Sequence, residues 1–367
     1  MNDLAQMTAL DVDKMTEQLT AAYTAVIRSG GSFRLIPSVM LWGPPGVGKS
    51  QGVRQAAKRL EEETGKKVIV TDVRLMLFNP IDLRGIPAAN ADRTLAVWLK
   101  PKIFQMDESS DVVNILFLDE LSAAPQSVQA AAYQIVLDRV IGEHRLPENC
   151  IVIAAGNRVT DRSVAFKMPR ALANRLCHFD IVPSFDSWNR WAVENGINEK
   201  VLGFLSFDRS CLFDSESVSD LAFVTPRSWE MVSSLLNTVS SDPEEIYPMI
   251  SGCIGVGRGV EFLSWCKVYD QLPDIEAIFS GKSQPVPKNT DALYALISSM
   301  TAYARGHLED MEKIGASVRY AMGLPPEFST VLMRNYMAFE RDYRQKLLRI
   351  PQFGLWLQKF GRLLNGA

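Results

Sequence analysis

Several residue groups in this chain have the donors, charges and spacing that phosphate chemistry needs. In Val39-Met-Leu-Trp-Gly-Pro-Pro-Gly-Val-Gly-Lys-Ser50 an apolar run passes directly into G-x-x-x-x-G-K-S and then into helical periodicity. Glycines at 43, 46 and 48 let the backbone turn its N–H groups inward. Gly43, Pro44, Pro45, Gly46, Val47, Gly48, Lys49, Ser50 and Gln51 therefore read as a phosphate-binding loop running into a helix N-terminus. Lys49 supplies a point charge near the β- and γ-phosphates, and the Ser50 hydroxyl suits Mg2+. The loop reads as a cradle for ATP or GTP.

Two carboxylates, Asp119 and Glu120, end the apolar run 114–118. Ligands of open α/β sheets bind at the C-terminal ends of strands, so Asp119 fits a Mg2+ ligand and Glu120 the base that orients an attacking water. Their strand is expected next to the one that feeds the phosphate loop. A further run, Ile151-Val-Ile-Ala-Ala-Gly-Asn157, brings an uncharged amide to the same rim, where Asn157 fits a nucleophilic water or a γ-phosphate. Two arginines follow, Arg170 and Arg175. A guanidinium placed against the γ-phosphate of a neighbouring subunit would neutralise charge in the transition state; Arg175 is the first choice and Arg170 the second. Arg227 lies in the first turn of a helix capped by Thr225, where the helix dipole disfavours a cation. Bound phosphate would remove that conflict, and so would packing on Trp229 or pairing with Glu230.

The elements that must hold these groups are short and almost continuously apolar. Strands are expected at 39–42, 67–73, 112–118, 150–155 and 178–182, mostly separated by helical patterns, which makes an α/β domain with a parallel sheet covered on both faces. Asp11 caps an amphipathic helix ahead of the first strand, and Gly30-Gly31 closes it. Ser122 is expected to cap the helix after the carboxylates, with Pro125 in its first turn. Beyond residue 185 the strand pattern stops. Helices are expected at 188–205 and 226–239, and 281–290 has linker composition. The domains are read as 1–184, an α/β core with an N-terminal helix; 185–280, a helical lid; and 281–367, a linker and C-terminal helical region.

Composition narrows the function. At 367 residues, 47% hydrophobic and 22% charged, the chain has the balance of an ordinary soluble protein. A net charge of −3 and a pI near 5.8 give no global attraction for nucleic acid. The five cysteines are scattered without a C-x-x-C pair, which argues against a disulfide framework or a zinc site and for a reducing compartment. His144, His178 and His307 match no metal spacing or triad. No signal peptide and no membrane span is expected, so the location is read as cytoplasmic. The C-terminal 341–367 is basic and rich in Leu, Phe and Trp. Pro351 and Gly354 interrupt it and its apolar residues lie on too many sides for a membrane surface, so it is expected to pack on the body of the protein.

In order and type these motifs resemble the AAA+ superfamily, and within it the MoxR-like ATPases. Gly43 to Ser50 is similar to the Walker A motif, Leu116 to Glu120 to Walker B, Asn157 to sensor 1, Arg175 to the arginine finger and Arg227 to sensor 2. The segment Asn79-Pro-Ile-Asp-Leu-Arg-Gly-Ile-Pro87 resembles the MoxR-type stretch that precedes a hairpin insertion. The resemblance implies Mg2+-dependent ATP hydrolysis at subunit interfaces of a homo-oligomer, a hexameric ring. It also implies a partner-facing role for 83–98 and a protein client, of which a von Willebrand A domain protein is one type. After Asp119-Glu120 the chain continues Leu-Ser-Ala-Ala where the MoxR type has Ile-Asn-Arg-Ala, and that departure marks a distinct branch. The rival readings are a nucleic-acid machine, either a GTPase or a helicase loader, which the acidic pI opposes, and a nucleotide sensor without hydrolysis, which Glu120 and Asn157 oppose.

Overall fold

The structure, a computed structural model, describes residues 7–161, 168–214, 221–267, 272–340 and 342–364. The chain divides into two compact units, Met1–Pro183 and Ser184–Ala367.

The first unit is α/β. Its elements in order are β1 (Ala9–Leu10), α1 (Val12–Arg28), β2 (Val39–Trp42), α2 (Lys49–Thr64), β3 (Lys67–Arg74), α3 (Pro80–Arg84), β4 (Ile86–Ala89), β5 (Ala96–Leu99), β6 (Val112–Asp119), α4 (Gln126–Asp138), β7 (Val140–Ile141), β8 (His144–Arg145), β9 (Cys150–Gly156), α5 (Arg170–Ala173) and β10 (Cys177–Ile181). Six strands form one parallel sheet in the order β1, β10, β2, β9, β6, β3.

Side chains alternate across a strand, so a sheet buried on both faces must be apolar at nearly every position. Leu41, Ile115, Phe117, Ile153 and Ala155 face a core shared with Met15 and Leu19 of α1 and Val53, Ala56 and Leu60 of α2. Their sequence neighbours Met40, Trp42, Leu116, Leu118, Val152 and Ala154 face the opposite core, with Val128, Ala132 and Ile135 of α4. Asp11 caps α1 as expected, its carboxylate accepting from the Lys14 N–H at 2.8 Å.

Three sequence expectations change in this unit. Ser122 is no helix cap: α4 begins at Gln126 with Pro125 at the capping position, and the Ser122 hydroxyl donates instead to the Asn157 carbonyl at 3.0 Å. The strand expected at 178–182 is shifted by one residue because Cys177 pairs with Val39. And β6 is not the neighbour of β2, since β9 lies between them.

The second unit is helical: α6 (Phe185–Glu194), α7 (Glu199–Phe207), α8 (Pro226–Thr238), α9 (Tyr247–Ile254), α10 (Val256–Cys266), α11 (Ile275–Phe279), α12 (Thr290–Arg305), α13 (Met311–Ala321), α14 (Pro326–Met337), α15 (Tyr343–Leu348) and α16 (Pro351–Phe360). The single helix expected over 188–205 is two, broken where Gly196 takes φ +70°. One hydrophobic core runs from Trp188 to Phe360 and joins residues on both sides of the 281–290 segment, with Phe204, Trp229, Leu296, Leu332 and Trp356 among its members. Among the described residues, the basic C-terminal segment buries Tyr343, Leu347, Phe353 and Trp356 in it. No described helix is long and apolar enough to cross a membrane.

Candidate functional site

At the C-terminal end of β2 the chain turns through residues 43–48 into α2. Gly46 and Gly48 take φ +78° and +104°, conformations that a Cβ would strain. Gly43 is required for a different reason: a Cβ there would stand 2.5 Å from the Ile181 carbonyl oxygen. Gly48 is the capping residue of α2 and provides no side chain for its first N–H groups. Those donors and the positive end of the helix dipole make a place for an anion.

Lys49, only 8% exposed, starts that helix. Its ammonium donates to the carbonyls of Gly43 at 2.6 Å and Pro44 at 3.0 Å, and to Asn157 Oδ1 at 3.1 Å. A buried cation without acceptors would cost several kcal/mol; these three oxygens hold the charge at the mouth of the loop. The bond to Asn157 follows from strand order. Because β9 separates β2 from β6, the amide at its end lies between the loop and the carboxylates.

On the other side of the loop, the Ser50 hydroxyl donates to Asp119 Oδ2 at 2.7 Å, and Asp119 Oδ1 accepts from the Glu120 N–H at 2.9 Å. Two hard oxygens side by side, one of them a carboxylate, suit Mg2+, so Ser50 and Asp119 fit that ion. Glu120 takes φ +59°, a conformation that costs a non-glycine residue about 1–3 kcal/mol. Its carboxylate has no hydrogen bond or ion pair among the described residues, and it is half-exposed at the rim.

Sequence reasoning gave one residue here a different role and passed over another. Ser122 holds the backbone of Asn157, as described above. Arg158, half-buried, pairs with Asp161 and Asp180 and donates to the Ile181 carbonyl at 3.3 Å. The i, i+3 spacing of Arg158 and Asp161 was the signal available for the second.

Three arginines remain from the sequence reading. Arg170 opens α5 and Arg175 lies in the turn before β10; both are exposed and neither has an ion pair among the described residues. Arg227 belongs to the second unit, at the second position of α8, and is exposed. The cap expected there is formed: the Thr225 hydroxyl accepts from the Ser228 N–H at 3.1 Å, with Pro226 first in the helix. Trp229 is fully buried and donates to the Cys211 carbonyl at 2.7 Å. Each histidine is taken up in a local contact, His178 accepting from the Trp42 indole N–H and donating to the Ala173 carbonyl, His144 meeting the Trp98 carbonyl and His307 that of Tyr303. Among the described residues no group of three or more His, Cys, Asp or Glu could hold a metal.

Between β3 and β6 the strands β4 and β5 form an antiparallel hairpin, Ile86 opposite Leu99 and Ala89 opposite Ala96. Arg84 stacks on Trp98 at its base, with 4.7 Å from guanidinium carbon to ring centroid. The hairpin leaves Ile86 65%, Leu95 67% and Leu99 57% exposed.

Residues 39–181 match the family model for the ATPase family associated with various cellular activities (AAA). This stretch begins with β2 and ends with β10, and it contains the loop, both carboxylates and Asn157. The first unit thus has the AAA-type P-loop fold. No curated protein matches the sequence. Similar solved structures include a Thermotoga maritima RuvB mutant, at 14% identity and TM-score 0.35 over 79% of this chain and 84% of that one. Another is Brucella abortus NtrX in complex with ADP, at 14% identity and TM-score 0.31 over 94% of this chain and 68% of that one.

Proposed function

We propose that the first unit binds and hydrolyses ATP with Mg2+, and that the chain works as a MoxR-type ring that remodels or activates a protein partner. The observation that carries this reading is the convergence of Lys49, Ser50, Asp119, Glu120 and Asn157 on one rim, linked by hydrogen bonds of 2.7 to 3.1 Å.

Phosphoryl transfer needs positioning and charge neutralisation more than covalent chemistry. Lys49 and the N–H groups at the start of α2 would grip the β- and γ-phosphates. Ser50 and Asp119 would hold Mg2+, which when bound draws charge from those phosphates. Glu120, whose carboxylate makes no competing bond among the described residues, would accept a proton from the attacking water. Asn157, now bonded to Lys49, would fix that water or the γ-phosphate. Arg175 would act on the site of a neighbouring subunit, with Arg170 as the alternative, and Arg227 would meet the phosphates from the helical unit. Exposed Arg170, Arg175 and Arg227 are suited to a partner outside their own unit. The apolar hairpin Ile86 to Leu99 is the surface we assign to the protein client, because exposed clusters of this kind mark protein contacts. A client carrying a von Willebrand A domain fits this reading through the family resemblance alone.

Calorimetry with ATP and GTP on the wild type and Lys49→Ala tests the site. The lysine contributes a charge-assisted contact, about 2 kcal/mol, so its loss should weaken nucleotide binding at least about 30-fold with an unchanged circular dichroism spectrum. Equal affinities would reject the site.

A further inference from the structure

Strand β2 is flanked by β9 on one side and β10 on the other. Arg158 follows the end of β9, yet its guanidinium reaches Asp180 and the Ile181 carbonyl at the end of β10, the latter at 3.3 Å. It therefore spans the end of β2 at the point where the phosphate loop leaves the sheet. The loop passes close beneath: Gly43 donates its N–H to the Gly156 carbonyl at 3.3 Å, and its α-carbon leaves no room for a Cβ against the same Ile181 oxygen that Arg158 holds. The near end of the strap is also pinned, since the Arg158 N–H donates to Asp161 Oδ2 at 2.6 Å. The side chains of Arg158, Asp161 and Asp180 are 17%, 8% and 13% exposed, so this is an ion-pair group shielded from solvent, where geometry is held firmly.

We infer that Arg158 is a positioning residue: it clamps the end of β9 to β10 across β2 and so keeps the Asn157 amide aimed at Lys49. The inference rests on the proposed hydrolysis, in which Asn157 acts next to the γ-phosphate. Arg158 is read as positioning and not as nucleotide-binding because both of its terminal guanidinium nitrogens are engaged within the protein, Nη1 pairing with Asp161 at 3.7 Å and Nη2 meeting Asp180 and the Ile181 carbonyl. A strap that acts through one amide should change the rate of the chemical step and leave nucleotide binding, which depends on the loop and Lys49, nearly alone.

The test uses the full chain as wild type, Arg158→Ala, Asp180→Asn, Asn157→Ala and the double variant R158A/N157A, with kcat, ATP affinity and melting temperature measured for each. R158A and D180N should each lower kcat about ten- to a hundredfold, with Kd within about threefold of wild type. The double variant should be no slower than N157A, because Arg158 has nothing left to position. Wild-type kcat in folded R158A or D180N, or an R158A loss that multiplies fully with that of N157A, overturns the inference. D180N keeps the shape of the side chain and so serves if R158A does not fold. If N157A hydrolyses at the wild-type rate, the role given to Asn157 in the proposed reaction falls, and the crystal structure of D180N then decides the strap. There the Asn157 oxygen should leave hydrogen-bond reach of Lys49 Nζ; retention near 3.1 Å would overturn the inference without reference to hydrolysis.

Discussion

Lys49, Ser50 and Asp119 show what single residues reveal before any fold is known. Their types and spacing point to phosphate and Mg2+ because few other functions need glycines, a lysine and a hydroxyl in that order. Asn157 and Ser122 show the limit. An asparagine after glycine is ordinary turn chemistry, and only strand order places it 3.1 Å from the lysine. Ser122 looked like a cap because serine before a helical pattern usually is one. Its hydroxyl instead meets a carbonyl on another strand, a long-range choice that local pattern cannot contain. The cysteines follow composition more closely. Burial pushes the thiols of Cys150 and Cys211 up to about 12, for Cys211 with a further contribution from its bond to Asp208. A raised thiol stays protonated at pH 8, and the thiolate is the reactive form. Thiol titration of the native protein at pH 8 should therefore spare Cys150, Cys211 and buried Cys266, and label all five cysteines only after unfolding. Rapid labelling of all five in the native state would contradict the core described here.

At the scale of elements, long apolar strands and capped helices were legible because burial on both faces writes itself into consecutive residues. Two-residue β1 was not, because it exists only through pairing of Ala9 and Leu10 with Asp180 and Ile181. The break at Gly196 was missed because the apolar spacing on either side of it suits one helix as well as two. The hairpin depends on one glycine: Gly85 takes φ +92° and a Cβ there would stand 1.9 Å from the Leu99 carbonyl oxygen. Gly85→Ala should destabilise the hairpin by about 1–3 kcal/mol, which corresponds to about a 5- to 150-fold loss of hydrogen-exchange protection in β4 and β5, with β6 and β9 unchanged. Unchanged protection in β4 would show that the hairpin base relaxes freely.

At the scale of the whole molecule, composition set expectations of an ordinary globular chain, and the residues past 185 do build one helical core rather than loose extensions. The C-terminal basic segment contributes to it through Tyr343, Phe353 and Trp356, so its apolar residues serve packing. Arg170 and Arg175 are exposed, and the role proposed for them requires a second copy of the chain. If Arg175 acts in trans, Arg175→Ala and Glu120→Gln subunits should each be nearly inactive alone and regain part of the activity when mixed, because some interfaces then join an intact Glu120 to an intact arginine. Mixed oligomers by native mass spectrometry without recovery would move the assignment to Arg170.

The most direct test of the central claim, hydrolysis at this rim, is phosphate release by Glu120→Gln beside the wild type at saturating ATP. The substitution keeps the side chain's volume and removes its basicity. The account predicts ATP affinity equal to wild type with turnover lower by about a hundredfold or more. Turnover equal to wild type would contradict it.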